Sequence, residues 1–169
     1  MKFIKLLLLL LSLTSCAGKP SVVIEQGQPL SVVLAVGEEP VVHTAIEIFA
    51  RDYHAVFGDT LLWVPSANRT PQMIVATCGV GEADSLMALL GIQHGALAAY
   101  PESYCLGARL INDVPYVYVI GGDAHGTAYG LMELSQLMGV SPWEWWADSP
   151  VKPRKRWAMD TFETIEHPA

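Results

Sequence analysis

The residues whose spacing most suggests chemistry run from Gly121 to Thr127, GGDAHGT, after a β-branched and aromatic run at Tyr116–Ile120. Strand, glycine turn and helix together are the shape that cradles a phosphate at a helix N-terminus. A dinucleotide loop, G-x-G-x-x-G, would need glycine where Asp123 stands, and that carboxylate would face a pyrophosphate with like charge. A P-loop has its glycine spacing at Gly121 and Gly126, but Thr127 takes the lysine position and Ala128 the hydroxyl position. Both chemistries lose their key group. Gly121, Gly122, Asp123, Gly126 and Gly130 therefore read as a tight structural turn leading into a helix packed close to a sheet, and no cofactor is implied.

Glu144 and Asp148 flank an aromatic cluster, Trp143, Trp145 and Trp146, with Trp157 beyond. Glycoside hydrolysis needs two carboxyl groups set about a scissile bond, and acids beside tryptophans do not by themselves supply that geometry. The flat rings suit either the C–H faces of sugars or a seam against a neighbouring domain; the seam is favoured. In an extended segment Trp143 and Trp145 share one side and Trp146 takes the other, so the two roles can be divided. His43 and Glu47 lie one helical turn apart without a third ligand and read as a solvated helix face, not a metal site. Cys78 and Cys105 lack C-x-x-C or Cys/His metal spacing and sit beside apolar residues, as small buried hydrophobes do. Pairing between them stays open at this level. Lys152, Arg154, Lys155 and Arg156 read as a solvated linker.

The elements that must position these residues follow from periodicity. Leu30–Val36 is a β-branched strand. Pro40, preceded by Glu38 and Glu39, opens a helix whose Val42, Ala45, Ile46, Phe49, Tyr53 and Val56 recur on one face, and Gly58 closes it. Thr60–Val64 and Gln72–Cys78 are strands, and Ser85–Leu90 is a short helix capped by Asp84 or Ser85. Glu102–Ile111 and Tyr116–Ile120 form a hairpin through Asn112-Asp113. The last helix, capped by Asp123, runs from about His125 to Met138, turns Leu131, Leu134 and Met138 inward, and stops at Gly139. The expected fold is α/β, an α+β sandwich with a mixed β-sheet and helices mainly on one face.

Residues 1–15 carry Lys2 and Lys5 before the run Leu6–Leu11, the build of a secretory leader. Leu13-Thr14-Ser15-Cys16 fits a lipoprotein signal, which makes Cys16 the lipid attachment site and the membrane a partner through that anchor alone. Residues 16–29 read as a tether holding a brief Val22-Val23-Ile24 strand, 30–150 as the domain and 151–169 as a linker. Loss of the leader moves the formal charge from −7 to −9, with 8 basic against 17 acidic residues. That balance argues against nucleic acid as a partner. The expected location is the bacterial cell envelope, on a periplasmic or surface face.

GGDAHGTAYGLMELSQLMGVSPWEWWADSPV also resembles a segment of glycoside hydrolase family 115, the xylan α-glucuronidases. There a strand, G-[GS]-D-x-x-G-T-x-Y-G, a helix and G-V-S-P-W-x-W-W-A-D-x-P-V follow in order. The likeness covers Tyr116–Val151 closely and Leu30–Ile111 loosely. Ala124-His125, where the family often has Lys-Arg, and Ser149 depart from the pattern. The resemblance implies a non-catalytic N-terminal accessory domain ahead of a catalytic (β/α)8 barrel, which would begin where this chain ends. The chain is thus expected to be truncated, with no catalytic residue of its own. For the intact protein it implies inverting removal of (4-O-methyl)glucuronic acid from plant xylan. The basic cluster at 152–156 would then have acidic glucuronic side groups as an alternative contact. Two other readings are a free-standing glycan-binding surface lipoprotein and an accessory domain of a hexosaminidase-like glycosidase.

Overall fold

The computed structural model describes residues 21–65, 72–144, 147 and 149–167. Cys16, Trp145, Trp146 and Asp148 lie outside the described residues, as do the leader and the first part of the tether. The strands are β1 (Ser21–Glu25), β2 (Ser31–Leu34), β3 (Leu62–Trp63), β4 (Gln72–Thr77), β5 (Tyr104–Ile111), β6 (Val114–Gly121), β7 (Arg156–Asp160) and β8 (Phe162–Glu166). The helices are α1 (Pro40–Phe57), α2 (Ala83–Leu90), α3 (His94–Leu97) and α4 (Ala124–Met138).

Six strands form one mixed sheet in the order β3-β2-β4-β6-β5-β8. β3, β2, β4 and β6 run parallel, while β5 lies antiparallel to both of its neighbours. Parallel central strands must be covered on both faces, and the period-two alternation sorts their side chains accordingly. Val32, Met73, Val75, Val117 and Val119 join the core under α1 and α4. Val33, Ile74, Ala76, Tyr118 and Ile120 join a second core under α2 and α3. The two long helices thus share one face, and the two short ones cover the other.

Local signals place most boundaries. α1 begins at Pro40 and ends where Gly58 turns left-handed at φ 74°, and the tilted rings of Phe49, Tyr53 and Phe57 pack along its inner face with centroids 6.4 and 5.0 Å apart. Asn112 and Asp113 take φ 51° and 63°, the paired left-handed conformation of a two-residue hairpin turn. α4 ends at Gly139, φ 101°, and the Val140 N–H folds back to the Ser135 carbonyl at 3.0 Å. α2 departs from expectation. It begins at Ala83, so Asp84 and Ser85 lie inside it and the N-cap position falls to Glu82, whose carboxylate makes no cap and accepts the Val36 N–H at 3.1 Å.

Two parts of the chain expected to lie outside the domain belong to it. Within the predicted tether, β1 pairs antiparallel with β7 from the predicted linker, Val22 opposite Met159 and Ile24 opposite Trp157. All four side chains are buried in the larger core. The tail also finds a partner, since β8 extends the sheet beside β5. The basic cluster is solvent-exposed but stitched down, with the Arg154 N–H on the Val56 carbonyl at 2.7 Å and the Gln26 N–H on the Lys155 carbonyl at 2.9 Å. The β1–β7 pairing joins segments more than a hundred residues apart and the β5–β8 pairing segments more than fifty apart, beyond the reach of local pattern.

A chain starting at Leu30 is expected to lose roughly 3–6 kcal/mol of stability from Val22 and Ile24 alone, at about 1.5–3 kcal/mol per buried aliphatic. Urea unfolding of the two lengths measures this, and a loss under about 1 kcal/mol would show that β1 contributes nothing to the core.

Candidate functional site

The β6–α4 turn is built by glycines whose missing side chains make room for the protein itself. A Cβ at Gly121 would stand 2.1 Å from Thr127 Oγ1, one at Gly122 2.5 Å from the Leu97 carbonyl oxygen, and one at Gly126 2.0 Å from the Ser103 carbonyl oxygen. Gly130 lets α4 lie against the sheet, since its Cβ would meet Val119 Cγ1 at 2.6 Å. The space a phosphate would need is filled by the segment 97–103.

Asp123 holds this closure. Its Oδ1 accepts the Gly126 N–H at 2.8 Å and its Oδ2 the Glu102 N–H at 2.7 Å, fixing Glu102 in a left-handed conformation, φ 58°. Partial burial pulls its carboxyl upward. The Glu102 and Gly126 N–H groups, aided by His125, outweigh that and leave it below the ordinary aspartate range.

In open α/β sheets ligands settle outside the carboxyl ends of the strands where the winding direction reverses. Here α1 leaves β2 over one face and α2 leaves β4 over the other, so that point lies between the ends of β2 and β4. It contains Glu38, which is only 6% exposed. One of the two acids that precede Pro40 at the start of α1, it turns inward. Glu38 Oε1 accepts the Thr77 N–H at 2.7 Å and its Oε2 the Thr77 hydroxyl at 2.6 Å. Thr77 Oγ1 is 2.7 Å from Thr127 Oγ1, which reaches the Asp123 carbonyl at 3.1 Å. Burial pushes the Glu38 carboxyl above the ordinary glutamate range, against the two Thr77 bonds that favour its charged form.

The crevice itself is shut. A Cβ at Gly81 would lie 2.2 Å from the Val36 carbonyl oxygen, and Glu82 clamps the Val36 N–H. Only the spacing G-x-G after β4 hinted at this contact.

The cysteines are free. Cys78 follows β4 and Cys105 lies on β5, with β6 between them. Two strand spacings of about 4.8 Å exceed the Cα separation that a disulfide spans. Burial, with Glu163 nearby, pushes the Cys105 thiol up to about 12. Among the described residues no group of three His, Cys, Asp or Glu could hold a metal ion.

Of the tryptophan cluster, Trp143 is described and is 64% exposed. Its segment is turned on itself: the Trp143 N–H meets Ser141 Oγ at 3.2 Å, and the Trp143 carbonyl accepts the Ala147 N–H at 2.8 Å. Beside it, between α1 and α4, opens a groove of about 300 Å³ that includes Glu144. Trp157, by contrast, is buried against β1.

No family model matches the chain, and no curated protein matches it. Solved structures do, and they place the fold among domains of glycosidases. A family GH115 4-O-methyl-α-glucuronidase with specificity for decorated arabinogalactans matches with TM-score 0.72 and 34% identity, over 86% of this chain and 18% of that one. CpGH84D matches with TM-score 0.58 over 86% of this chain and 22% of that one; its 8% identity shows the fold alone. The chain thus spans about a fifth of the length of each of these two proteins.

Asp123→Ala is expected to cost about 1–3 kcal/mol, by loss of the helix cap and exposure of two unpaired N–H groups. In the wild type the Asp123 contribution is present above the carboxyl's unfolded pKa and lost as pH falls through its depressed folded value. Urea midpoints for the variant should therefore lack that acid limb. Glu38→Gln should behave oppositely. Glu38 has a raised folded pKa, so ionisation costs stability as pH rises from its unfolded value through its folded one. The glutamine amide can donate to Thr77, whose hydroxyl then turns to Thr127, so the bonds survive. The variant should match or exceed wild-type stability at neutral pH and be flatter across that window; a loss above about 2 kcal/mol would refute the account.

Proposed function

We infer that this chain is an N-terminal accessory domain of a carbohydrate-active glycoside hydrolase of the GH115 type. The observation that carries the reading is the match to one part of a GH115 4-O-methyl-α-glucuronidase at 34% identity across 86% of this chain. The closed β6–α4 turn and the sealed crevice at β2 and β4 support a scaffold role, because both places where this fold type holds ligands are occupied by Ser103, Glu38, Thr77 and Val36. The intact protein would remove 4-O-methylglucuronic acid by inverting hydrolysis in a neighbouring (β/α)8 barrel, from xylan or from a decorated arabinogalactan. Cys16 would tether it by lipid to the cell envelope.

A second reading, a glycan-binding surface lipoprotein without hydrolytic activity, is favoured by the exposure of Trp143.

The purified chain is expected to release no uronic acid from glucuronoxylan or from glucuronate-capped arabinogalactan. Release abolished by changing one of its own carboxylates would overturn the inference. Genomic sequence past codon 169 separates the two readings: an in-frame barrel supports the accessory domain, and a stop codon supports the lipoprotein.

A further inference from the structure

The groove between α1 and α4 stands apart from the turn and the crevice, and it is open. Its floor is apolar, made by Ile48 and Met132 from the two helices with Val140 and Pro142 from the segment after α4. Its polar edge carries Arg51, Asp52 and Glu144. Arg51 and Asp52 are paired at 2.9 Å, so the edge presents donors and acceptors together with a net negative balance. Ser135 lines the same groove. It is 4% exposed, and its hydroxyl has no hydrogen-bond partner among the described residues. A buried hydroxyl left unpaired is costly. Trp143 lies between Pro142 and Glu144, both of which line the groove, and its indole is exposed to water.

We propose that this groove binds a neutral pyranose unit of a polysaccharide main chain. Three observations select that occupant. An apolar floor with a few polar groups and a volume near 300 Å³ matches the low end of small-molecule sites. Mixed donors and acceptors suit sugar hydroxyls, while the indole face suits the C–H face of the ring. The charge selects against uronic acids: one cation faces two carboxylates, on a chain of formal charge −7. The Ser135 hydroxyl, turned about χ1 to another staggered well, gains the partner it lacks. The accessory domain then holds the neutral backbone of a glycan while its acidic branches stay free for hydrolysis elsewhere. The choice of a plant glycan rests on the function proposed above; the groove and its charge do not.

The test is amide-shift NMR titration of the chain with xylohexaose, a neutral galactan oligosaccharide and sodium glucuronate. At least one neutral oligosaccharide should give saturable shifts confined to the groove residues, with affinity of roughly millimolar or tighter, and glucuronate should give none. Trp143→Ala and Arg51→Ala, both at exposed side chains, should each weaken binding about tenfold while amide spectra elsewhere stay unchanged. Ser135→Ala should weaken it without lowering stability. No saturable shift with either neutral oligosaccharide, shifts centred elsewhere, or variants that bind like wild type would overturn the proposal. A partner domain covering the groove would show as protection of these residues only in the longer protein, and would also overturn it. None of those outcomes touches the accessory-domain reading, which stands or falls on uronic acid release and the gene beyond codon 169.

Discussion

Close approach of the first turn of α4 to the end of the sheet is the constraint on which the rest depends. Gly121, Gly122 and Gly126 have φ values outside the left-handed region, so their requirement is for space and not for an unusual backbone. With the turn collapsed, Thr127 reaches Thr77, Thr77 reaches Glu38, and Glu38 fixes the entry to α1. One packing contact thereby ties the ends of β4 and β6 to the start of a helix some eighty residues earlier in the chain. Asp123 locks it by bonding two N–H groups from segments that would otherwise separate.

The relay also explains how a carboxylate survives in that position. A buried charge is costly unless hydrogen-bonded, and both Glu38 oxygens are. Because each hydroxyl both donates and accepts, the chain of bonds can reverse and serve a protonated carboxyl equally well. At the other edge of the sheet Arg109 does comparable work. Its guanidinium bonds Tyr118 Oη at 2.8 Å and also reaches the Leu90 carbonyl and Glu163. Tyr118 in turn donates to Glu163 at 2.7 Å. That cluster ties β8 to β5, β6 and the end of α2.

Legibility in the sequence tracked the reach of each interaction. The apolar face of α1, its Pro40 start and Gly58 stop, the Asn112-Asp113 turn and the Asp123 cap all involve residues within a few positions, and all were readable. The burial of Glu38 was not, since its partner Thr77 is 39 residues away and a Glu-Glu-Pro run reads locally as a solvated helix start. Val22-Val23-Ile24 is legible as a brief strand but not as part of the domain, for the same reason: only Trp157 and Met159 opposite, on a β7 that reads as linker, make it core. The α1–α4 groove joins Arg51 to Ser135 and Glu144 through tertiary packing alone. Only exposure could distinguish Trp143, in water, from the buried Trp157.

The inclusion of β7 and β8 in the fold bears on how such a domain can serve a neighbour. A flexible linker lets a following domain tumble, its reach growing only as the square root of its length. Here the segment after Pro150 is bonded to α1, paired to β1, and then built into the sheet, and His167 stacks on Tyr100 with centroids 4.5 Å apart. Any domain that follows Glu166 leaves from a fixed strand direction instead of a free tail. The sheet thereby sets the point and direction of that exit relative to the α1–α4 groove. The paired exit and the closed crevice have one physical origin: backbone and side-chain groups at both places are satisfied within the domain itself.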